Sequence, residues 1–470
     1  MEPGIGLEIR SGVTPIQYNQ PLDQQNNPNA PYVDGNPAAG IQGSIVPAAS
    51  LECDQREVVE VITRANVRGY KDYSGTPCAV PSNNDLTQLR KAIEGFIGDI
   101  NPYIIDTEVT YTVHGTGATF TDLIAAFAWL GRYKITPTGH VILKLAGATS
   151  GNALKFTYNQ TIIANHPNND RISIIGAPML KALPLDDSGY ASNGNSSAQR
   201  AQDLVTNLAI LRSSFATELF FQNLQPLTSG NAYTCGLFID GTMLMHLDAI
   251  LFTSDGNNAQ AMGMATTCTG YCNGTLIAGS PTIAGIAFAQ WGWGIWFDAG
   301  SSIAMQGAGY SANLWSPVIT IGCVNSGMTT ANQSFFTTYG NIISLGNGNH
   351  GIVAYCGCGY QLDGGVFCSS NAMYGVFFDM GTELWINGPW SSGTRYGPSH
   401  FYKNGRYGIA VSHGSAAIYA DCGTGVNANT QGSAYADHGG LIQCYADLNI
   451  SGHCSPPFNT VGNSNAFIGT

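Results

Sequence analysis

Charged residues are scarce in this sequence. Its 470 residues include 18 lysines and arginines and 30 aspartates and glutamates, which together make up 10% of the chain. An ordinary soluble domain carries roughly a quarter. The formal net charge is −12, and no stretch clusters the basic residues that phosphate contacts require. We therefore expect no nucleic-acid partner.

A basic leader and long hydrophobic runs are also lacking. The opening residues, MEPGIGLEIRSGV, have neither the positive segment nor the apolar segment of a secretory signal. The longest apolar run, near DLIAAFAWLG, is too short to cross a bilayer. These features predict a chain made in the cytoplasm, not exported by a standard route and not inserted into a membrane.

Motifs for cofactors are missing as well, and we expect none to be bound. No G-x-S-x-G, H-E-x-x-H or phosphate-binding loop occurs. The 12 cysteines include a C-x3-C pair, Cys268 and Cys272, and a C-x-C pair, Cys356 and Cys358, followed by Cys368. No further pair with zinc-type spacing and no histidine at the expected offset accompanies them. We expect mostly buried thiols; disulfides are the first alternative and a metal site the second.

Glycine, by contrast, is abundant, with 59 residues, and it marks a repeated phrase. The phrase reads WGIWFDAGSSIAMQG from Trp293, YGVFFDMGTELWING from Tyr374 and YGIAVSHGSAAIYAD from Tyr407. Glycine pairs six residues apart occur at 294/300, 351/357, 375/381 and 408/414, and the first members are separated by 57, 24 and 33 residues. These intervals match two repeats, one repeat, and one repeat with an inserted loop. Such periods with strand patterning are typical of a solenoid.

Side chains alternate along a strand, so the residues after each first glycine separate into columns. Two columns are predicted to point inward: Ile295, Ile352, Val376, Ile409 and Phe297, Ala354, Phe378, Val411. Two point outward: Trp296, Val353, Phe377, Ala410 and Asp298, Tyr355, Asp379, Ser412. The second glycine of each pair then turns the corner. The apolar outward column predicts cover by another protomer, a platform for sugars, or a covering loop.

The N-terminal part has a different pattern. Residues 1–48 are rich in proline, asparagine, glutamine and glycine, and are predicted to form an extended arm. Residues 49–105 are predicted to form a two-helix module. Its first helix spans Leu51 to Asn66, with Ser50 as N-cap and an apolar face of Val58, Val59 and Ile62. Its second begins at Asp85, in capping-box spacing with Gln88, and has an apolar face of Leu89, Ile93 and Ile97.

This part resembles a module near the N-termini of bacteriophage tail-fibre and tail-spike proteins. The shared features are Val46-Pro47, then Gln55-Arg56-Glu57 in the first helix, and Gln88-Leu89 with Ala92-Ile93 in the second. The resemblance covers about 55 residues. The segment RGYKDYSGTPCAVPS between the helices is longer than the usual turn. The resemblance implies docking to other virion proteins through the N-terminus.

A second resemblance follows in the chain. A strand at EVTYTV, a short helix from Asp122 to Leu130, a strand at HVILKLAG and two apolar runs around NHPNND resemble the N-terminal entry of a right-handed parallel β-helix of the pectin-lyase-like type. The helix covers the open end of such a solenoid. We expect an all-β fold, a right-handed parallel β-helix solenoid over residues 106–455, and a C-terminal tail over 456–470. The resemblance implies a homotrimer, located on the virion after assembly in the host cytoplasm and exposed outside the cell in the mature particle.

Candidate catalytic residues are carboxylates, because glycoside hydrolysis needs two of them at a defined separation. Asp298 and Asp379 share a column but are 81 residues apart, three repeats or roughly 14 Å at one strand spacing per repeat. Asp379 with Glu383, or either of them with Asp363, is the predicted catalytic set. The alternative is that Asp379 and Glu383 are corner residues that are solvated or bonded to turn amides.

The loop WSSGTRYGPSH supplies the predicted carbohydrate-binding residues. Trp390 and Tyr396 offer rings for stacking and Arg395 a cation, with His400 beside them. His413 is interpreted as a turn residue. No metal ligand is predicted.

Two functions follow from these expectations. The first is a trimeric bacteriophage virion appendage, a tail, baseplate or neck spike that contacts the host surface with its β-helix. The second is a tail-spike depolymerase, a glycosidase or lyase acting on host capsule or O-antigen polysaccharide. A cellular β-helix enzyme acting on polysaccharide is a third, disfavoured by the N-terminal module.

Overall fold

The computed structural model describes a chain of two compact units, Met1–Tyr103 and Ile104–Thr470. The described residues are 48–72, 74–78, 80–81, 87–100, 103–225, 234–240, 246–267, 285–298, 302–305, 317–338, 341–362, 364–386, 390–391, 394–395, 399–444, 454–457, 460–461 and 467–469. The predicted arm, residues 1–48, therefore lies almost entirely outside them. The predicted domain boundaries stay predictions.

The first unit contains helices α1, Ala48–Val67, and α2, Gln88–Ile100. Helix α1 begins before Ser50, so the prediction of Ser50 as N-cap is wrong. The predicted start of the second helix at Asp85 lies outside the described residues.

The predicted apolar faces of these helices are largely wrong. Val58 and Val59 of α1 and Ile93 and Ile97 of α2 are exposed. The core of this unit consists instead of Ile62, Ala65, Cys78 and Ala92, with Leu89 partly buried against it. Ile62 is the one predicted face residue of α1 that is buried, and the small side chains Ala65 and Ala92 complete the contact between the helices.

The second unit is dominated by three long sheets whose neighbouring strands run parallel, except for one antiparallel pair at the end of the third. Sheet A contains Leu154–Tyr158, Thr217–Phe221, Ile250–Ser254, Ile286–Ala289, Val318–Ile321, Ile342–Leu345, Val366–Ser369, Ser399–His400 and Ala420–Asp421. Sheet B contains Ile162–Ala164, Thr234–Ile239, Ala261–Thr266, Trp293–Phe297, Met328–Thr330, Ile352–Ala354, Val376–Phe378, Tyr407–Ser412, Gly432–Asp437 and Cys454–Ser455. Sheet C contains Ser302–Met305, Phe335–Thr338, Gly359–Leu362, Glu383–Ile386, Ser415–Ile418, Leu441–Cys444, Thr460–Val461 and Phe467–Gly469.

Smaller elements complete this unit. A parallel sheet joins Glu108–Val113, His140–Leu145, Ile172–Ile175 and His246–Asp248, and two-stranded sheets join Tyr103–Ile105 with Tyr133–Ile135 and Trp390–Ser391 with Thr394–Arg395. The helices are α3, Leu123–Leu130, and α4, Ser197–Ser214, with 3-10 turns at Asn169–Arg171, Asp187–Gly189 and Gly425–Asn427.

From the strand Ile286–Ala289 onward, the chain passes repeatedly from sheet A to sheet B to sheet C. We call one such pass a repeat. In sheet B, Ile295 pairs with Met328, Met328 with Ile352, Ile352 with Val376, and Val376 with Ile409. The predicted intervals are confirmed, because Met328 supplies the intermediate repeat within the interval of 57 residues. This order of parallel strands is compatible with the expected parallel β-helix.

The predicted inward columns are confirmed. All eight side chains are fully buried, and they share one core with Leu, Ile and Phe side chains of sheets A and C. Aromatic rings stack inside it, Phe252 on Phe288 of the neighbouring strand in sheet A and Phe297 of sheet B on Phe336 of sheet C. Burial of this continuous apolar surface is the main stabilising contribution.

Two helices cover parts of these sheets. Helix α3 begins at Asp122, whose side chain accepts a hydrogen bond from the Ala125 amide, and it buries Leu123, Phe127 and Leu130. This confirms the predicted short helix. Helix α4 has no counterpart in the sequence-based prediction; its Leu208 and Leu211 pack on the outer side chains of sheet A, Leu251, Ala287, Ile319, Ile343 and Phe367 among them.

The corner between sheets A and B carries a buried row of asparagines. The Oδ1 atoms of Asn347, Asn371, Asn404 and Asn429 each accept the backbone N–H of the equivalent residue one repeat earlier, at 2.9–3.1 Å. Their Nδ2 groups donate to the next asparagine of the row or to nearby backbone and hydroxyl oxygens. Gly346, Ser370 and Lys403, which precede the first three asparagines of the row, have φ between 54° and 63°. The row therefore satisfies polar backbone groups that burial would otherwise leave unpaired.

The corner between sheets B and C also turns through left-handed residues. Gly357 and Gly381 have φ of 72° and 74°, as predicted, and the residue before each is left-handed too. At the next corner His413 has φ of 54°, and Gly414 is outside this region. The predicted role is thus confirmed for two glycines and wrong for Gly414, since His413 makes that turn.

Most of the cysteines in the described part are buried, among them Cys235, Cys323, Cys368 and Cys422. Burial raises the pKa of the Cys235 and Cys323 thiols to about 12, so both stay protonated at neutral pH. This agrees with the expectation of buried thiols. None of the described helices is both long and apolar enough to cross a membrane.

Replacing Asn371 tests the asparagine row. The Asn371→Ala variant leaves the Asn347 backbone N–H without its acceptor in the core and removes the Nδ2 donor to Asn404, and we expect it to lower the free energy of unfolding by roughly 3 kcal/mol. Urea unfolding followed by circular dichroism measures this. Asn257→Ala, at an exposed position, is the control. Equal stability of the two variants would contradict a structural role for the row.

Candidate functional site

The predicted catalytic carboxylates fall at the corner between sheets B and C. Asp379 directly follows the sheet-B strand Val376–Phe378, and Glu383 begins the sheet-C strand Glu383–Ile386, where it is exposed. Asp363 lies outside the described residues. The pairing of Asp379 with Glu383 or Asp363 therefore stays a prediction.

The predicted carbohydrate-binding residues lie on a hairpin. Trp390 and Arg395 are directly opposite each other in the antiparallel pair of Trp390–Ser391 and Thr394–Arg395. Tyr396 is outside the described residues, and the side chains of the other two are as well. The structure thus makes Trp390 and Arg395 cross-strand neighbours.

His400, predicted to accompany this loop, contacts the segment around Asp187. It ends the sheet-A strand Ser399–His400, and its Nδ1 lies 3.2 Å from Asp187 Oδ1. Burial lowers its pKa, but the hydrogen bond and charge of Asp187 outweigh this, so the pKa of His400 is raised. The Ser369 hydroxyl donates to the same Asp187 carboxylate at 2.6 Å. His400 therefore links the segment around Asp187 to sheet A, and its association with Trp390 stays a prediction.

Asp379 is held by two donors. Its Oδ1 accepts the Met380 backbone N–H at 2.8 Å, and lies 3.1 Å from Nδ1 of His413 in the next repeat. The first contact is of the kind expected if Asp379 is a corner residue bonded to turn amides. The second links the carboxylate to an imidazole. The Ser412 hydroxyl is also 3.0 Å from His413 Nδ1. Because a carboxylate accepts hydrogen bonds, this contact places the proton of a neutral His413 ring on Nδ1 and leaves Nε2 as the acceptor nitrogen.

A second aspartate–histidine pair lies one repeat further on. The His438 Nδ1 is 3.1 Å from Asp437 Oδ2, which also accepts the Tyr435 hydroxyl at 2.8 Å. The His413 and His438 rings stack with centroids 4.7 Å apart. Burial acts to raise the pKa of Asp437, but hydrogen bonds from Ser412, Tyr435 and His438 outweigh it and hold the pKa below its usual value. The same bond raises the pKa of Tyr435 to about 12.

Aromatic side chains line sheet B beside these pairs. We call Tyr374, Phe377, Tyr407 and Tyr435 the aromatic surface. Tyr374 stacks on Phe377 at 5.2 Å, and Tyr407 on Tyr435 at 5.1 Å. The Arg406 guanidinium donates to the Tyr374 hydroxyl at 3.2 Å and lies 5.7 Å from its ring centroid. The rings therefore form a continuous row, in which Tyr374 is buried and Phe377, Tyr407 and Tyr435 are half-buried, with polar groups at its edge.

The predicted apolar outward column runs through this surface, and its residues differ in burial. Trp296 and Phe377 are half-buried, whereas Val353 and Ala410 are buried. Phe377 lies between Tyr374 and Tyr355, whose ring is 6.1 Å away. The column is thus partly covered by its own neighbours, and its larger side chains remain accessible.

Asp298 takes no part in this site. It is buried, and its carboxylate accepts hydrogen bonds from Trp296 Nε1 and Asn332 Nδ2. The pairing register places it three repeats before Asp379, through Ala331 and Tyr355. The prediction that the two carboxylates do not form a pair is confirmed.

No protein-family model, curated protein or solved structure matches this chain. The site must therefore be interpreted from its own geometry. Among the described residues, no three side chains of histidine, cysteine, aspartate or glutamate form a group that could hold a metal ion. A cavity of about 400 Å³ also lies beside His114, lined by Thr112, Thr116 and Lys144. The His114 ring stacks on Phe156 and is hydrogen-bonded to the Tyr158 hydroxyl, which also accepts the backbone N–H of Leu123. His114 therefore belongs to the packing around α3.

The sequence-based prediction missed the two aspartate–histidine pairs. His413 follows the predicted column residue Ser412 directly, but its partner Asp379 is 34 residues earlier. The signal was present in the columns, which place Asp379 and Ser412 on adjacent repeats. The strand Gly432–Asp437 and the following His438 belong to a further repeat. Ser433 stands there in place of the first glycine of the phrase, so this repeat was not aligned with the others.

The buried His350 should make the stability of the protein depend on pH. It is buried against Tyr374 and Phe377, at 5.2 Å from each ring. Burial, with a smaller effect of the Arg406 charge, lowers its pKa from 6.5 to about 4. The unfolded chain therefore takes up a proton between these values while the folded protein does not. Stability should fall as the pH drops through this range, by up to about 1.4 kcal/mol per pH unit for this group.

In the His350→Phe variant the unfolded chain no longer takes up a proton at this position, and an aromatic ring still packs against Tyr374. Urea unfolding between pH 4.5 and 7 should show a shallower decline in the free energy of unfolding than in the unaltered protein. His246, whose pKa burial and His140 lower to about 4, continues to contribute in both proteins. Identical slopes would show that His350 is not buried as a neutral imidazole.

Proposed function

We propose that this protein is a bacteriophage virion appendage that binds a host-surface polysaccharide. In this proposal the second unit is a right-handed parallel β-helix solenoid of the pectin-lyase-like type, and the protein is a homotrimeric tail, baseplate or neck spike. The N-terminal residues dock to other virion proteins, and the mature particle exposes the β-helix outside the cell.

The aromatic surface is the observation that carries the polysaccharide proposal. Sugar rings present flat faces of C–H groups that stack on aromatic side chains, and hydroxyl groups that need polar partners. Tyr407 and Tyr435 offer accessible rings on adjacent repeats about 4.8 Å apart. Carboxylates and imidazoles at the corner, Asp379 and His438 among them, supply hydrogen-bond partners. A row extending over several repeats suits an extended chain better than a single small molecule.

The appendage part of the proposal has separate support. The motifs around Val46-Pro47 and Gln55-Arg56-Glu57 resemble phage N-terminal modules. The cycle through three parallel sheets with α3 at its start agrees with the second resemblance. The low charge and apolar outer columns suit a surface partly covered by other protomers.

A polysaccharide-binding measurement tests the proposal. The full-length protein should bind one or a few members of a panel of bacterial capsular and O-antigen polysaccharides, and Tyr435→Ala should weaken that binding about tenfold, corresponding to about 1.4 kcal/mol. Trp385→Ala, an exposed aromatic on sheet C, is the matched control. Light scattering after size-exclusion chromatography should give the mass of a trimer.

Absence of binding across the panel, or equal loss in Tyr435→Ala and Trp385→Ala, would contradict a site on the aromatic surface. A monomer at micromolar concentration would contradict the trimeric appendage.

The second candidate function is a depolymerase, and one observation favours it. Asp379 and Asp437 take the same corner position two repeats apart, with Ser412 between them. Two strand spacings amount to roughly 9.6 Å, close to the upper end of the range of about 6.5–9.5 Å for inverting glycosidases. In such a reaction one carboxyl group protonates the glycosidic oxygen, while the other takes a proton from the attacking water.

Product release separates this function from binding alone. If the protein cleaves a polysaccharide that it binds, Asp379→Asn and Asp437→Asn should each lower the rate of reducing-end formation by at least about 100-fold. Asp106→Asn, an exposed aspartate elsewhere in the chain, should leave the rate unchanged. Binding without any release of reducing ends or unsaturated products would exclude the depolymerase and leave the first function intact.

A further inference from the structure

The corner between sheets B and C carries a row of potential metal ligands. Cys356, Met380, His413 and His438 take the same position on four successive repeats, each with φ between 47° and 60°. Neighbouring positions are one strand spacing apart, about 4.8 Å. A thiol, a thioether and two imidazoles therefore follow one another along one edge of the sheet.

The two sulfur atoms are already in contact. The Cys356 Sγ lies 3.6 Å from the Met380 Sδ. Sulfur–metal bonds of about 2.3 Å in tetrahedral geometry put two ligating sulfurs roughly 3.8 Å apart. Cys356 is exposed and the Met380 side chain is 57% exposed. A metal ion can thus reach both atoms with little rearrangement.

The His413 imidazole lies one repeat beyond Met380 and stacks on the His438 ring at 4.7 Å. His413 directs Nδ1 to the Asp379 carboxylate at 3.1 Å, and its Nε2 forms no hydrogen bond within the part of the chain that the structure describes. A metal-binding histidine almost always donates its second ring N–H to a carboxylate, carbonyl or water, and this fixes the tautomer. The Gly381 amide donates to the His413 carbonyl at 2.6 Å, which ties the His413 corner to the Met380 corner.

We infer that Cys356, Met380 and His413 form a binding site for a soft monovalent metal ion, Cu(I). Thiolate and thioether sulfur favour Cu(I), and imidazole also binds copper. Cys356 loses its thiol proton to solvent when the ion binds, so affinity should rise with pH. The inference does not depend on the proposed polysaccharide function, although His413 contacts Asp379, a carboxylate assigned to that function.

This site differs from the set considered in the sequence. Cys358 points into the core, where its thiol donates to the Tyr355 carbonyl at 2.7 Å, and Cys368 is buried in the core as well. The left-handed turn at Cys356 and Gly357 therefore leaves the Cys356 thiol exposed and the Cys358 thiol buried. The partner of Cys356 is instead Met380, 24 residues later.

Anaerobic titration of the full-length protein with Cu(I), in competition with the chromophoric chelator bicinchoninate, tests this site. The unaltered protein should retain one equivalent of Cu(I) that Cys356→Ser does not. Met380→Leu should weaken binding by more than about tenfold, since even the outer partners of a metal site are worth roughly 10–100-fold in affinity. Cys454→Ser, at a second partly accessible cysteine, is the matched control and should keep the equivalent.

The outcomes are distinct. If Cys356→Ser retained the equivalent of Cu(I), or if Cys454→Ser lost it, the assignment of Cys356 as a copper ligand would be overturned. Unchanged affinity in Met380→Leu would overturn the two-sulfur site even if Cys356 binds copper. Circular dichroism of each variant without metal shows whether the fold is preserved, and X-ray absorption of the copper-loaded protein should report two sulfur neighbours.

Discussion

The register of the stacked parallel strands is the constraint on which the rest of the structure depends. Backbone hydrogen bonds fix it within each sheet, but bonds of this kind would also form in a shifted register. The asparagine row at the corner between sheets A and B removes that freedom. Asn371 both accepts from Asn347 and donates to Asn404 inside the core. A shift by one residue would bury unpaired amides, so the corner and the strands specify the same alignment.

The functional surfaces follow from this register. Residues 24 to 34 positions apart in sequence meet at one corner: Cys356 with Met380, and Asp379 with His413. One strand spacing is close enough for a hydrogen bond, a ring stack or a shared metal ion. A row of chemically different side chains therefore arises wherever equivalent positions of successive repeats carry them. Cys356, Met380, His413 and His438 are one such row, and the aromatic surface combines residues of two columns of sheet B.

The sequence predicted the repeats well and the contacts between them poorly. Alternation after Gly294, Gly351 and Gly375 assigned the inward columns correctly, because strand side chains alternate strictly. It could not reveal α4, whose polar outer face carries no repeat signal, nor which faces of α1 and α2 meet, since that depends on the partner surface. The corner pairs were hidden because loops of different length separate the repeats. Asp379 and its column were recognised. His413 was interpreted as a turn residue, and Met380 was not considered.

Hydrogen exchange of the corner segments tests the central claim most directly. Turns at a protein surface exchange their amides rapidly, yet here the amides of Asn347, Asn371 and Asn404 donate to buried side-chain oxygens. Mass spectrometry of the native protein should therefore show that peptides covering these corners are protected as strongly as the flanking strands of sheets A and B. Rapid exchange at the corners between protected strands would contradict a register held by the asparagine row.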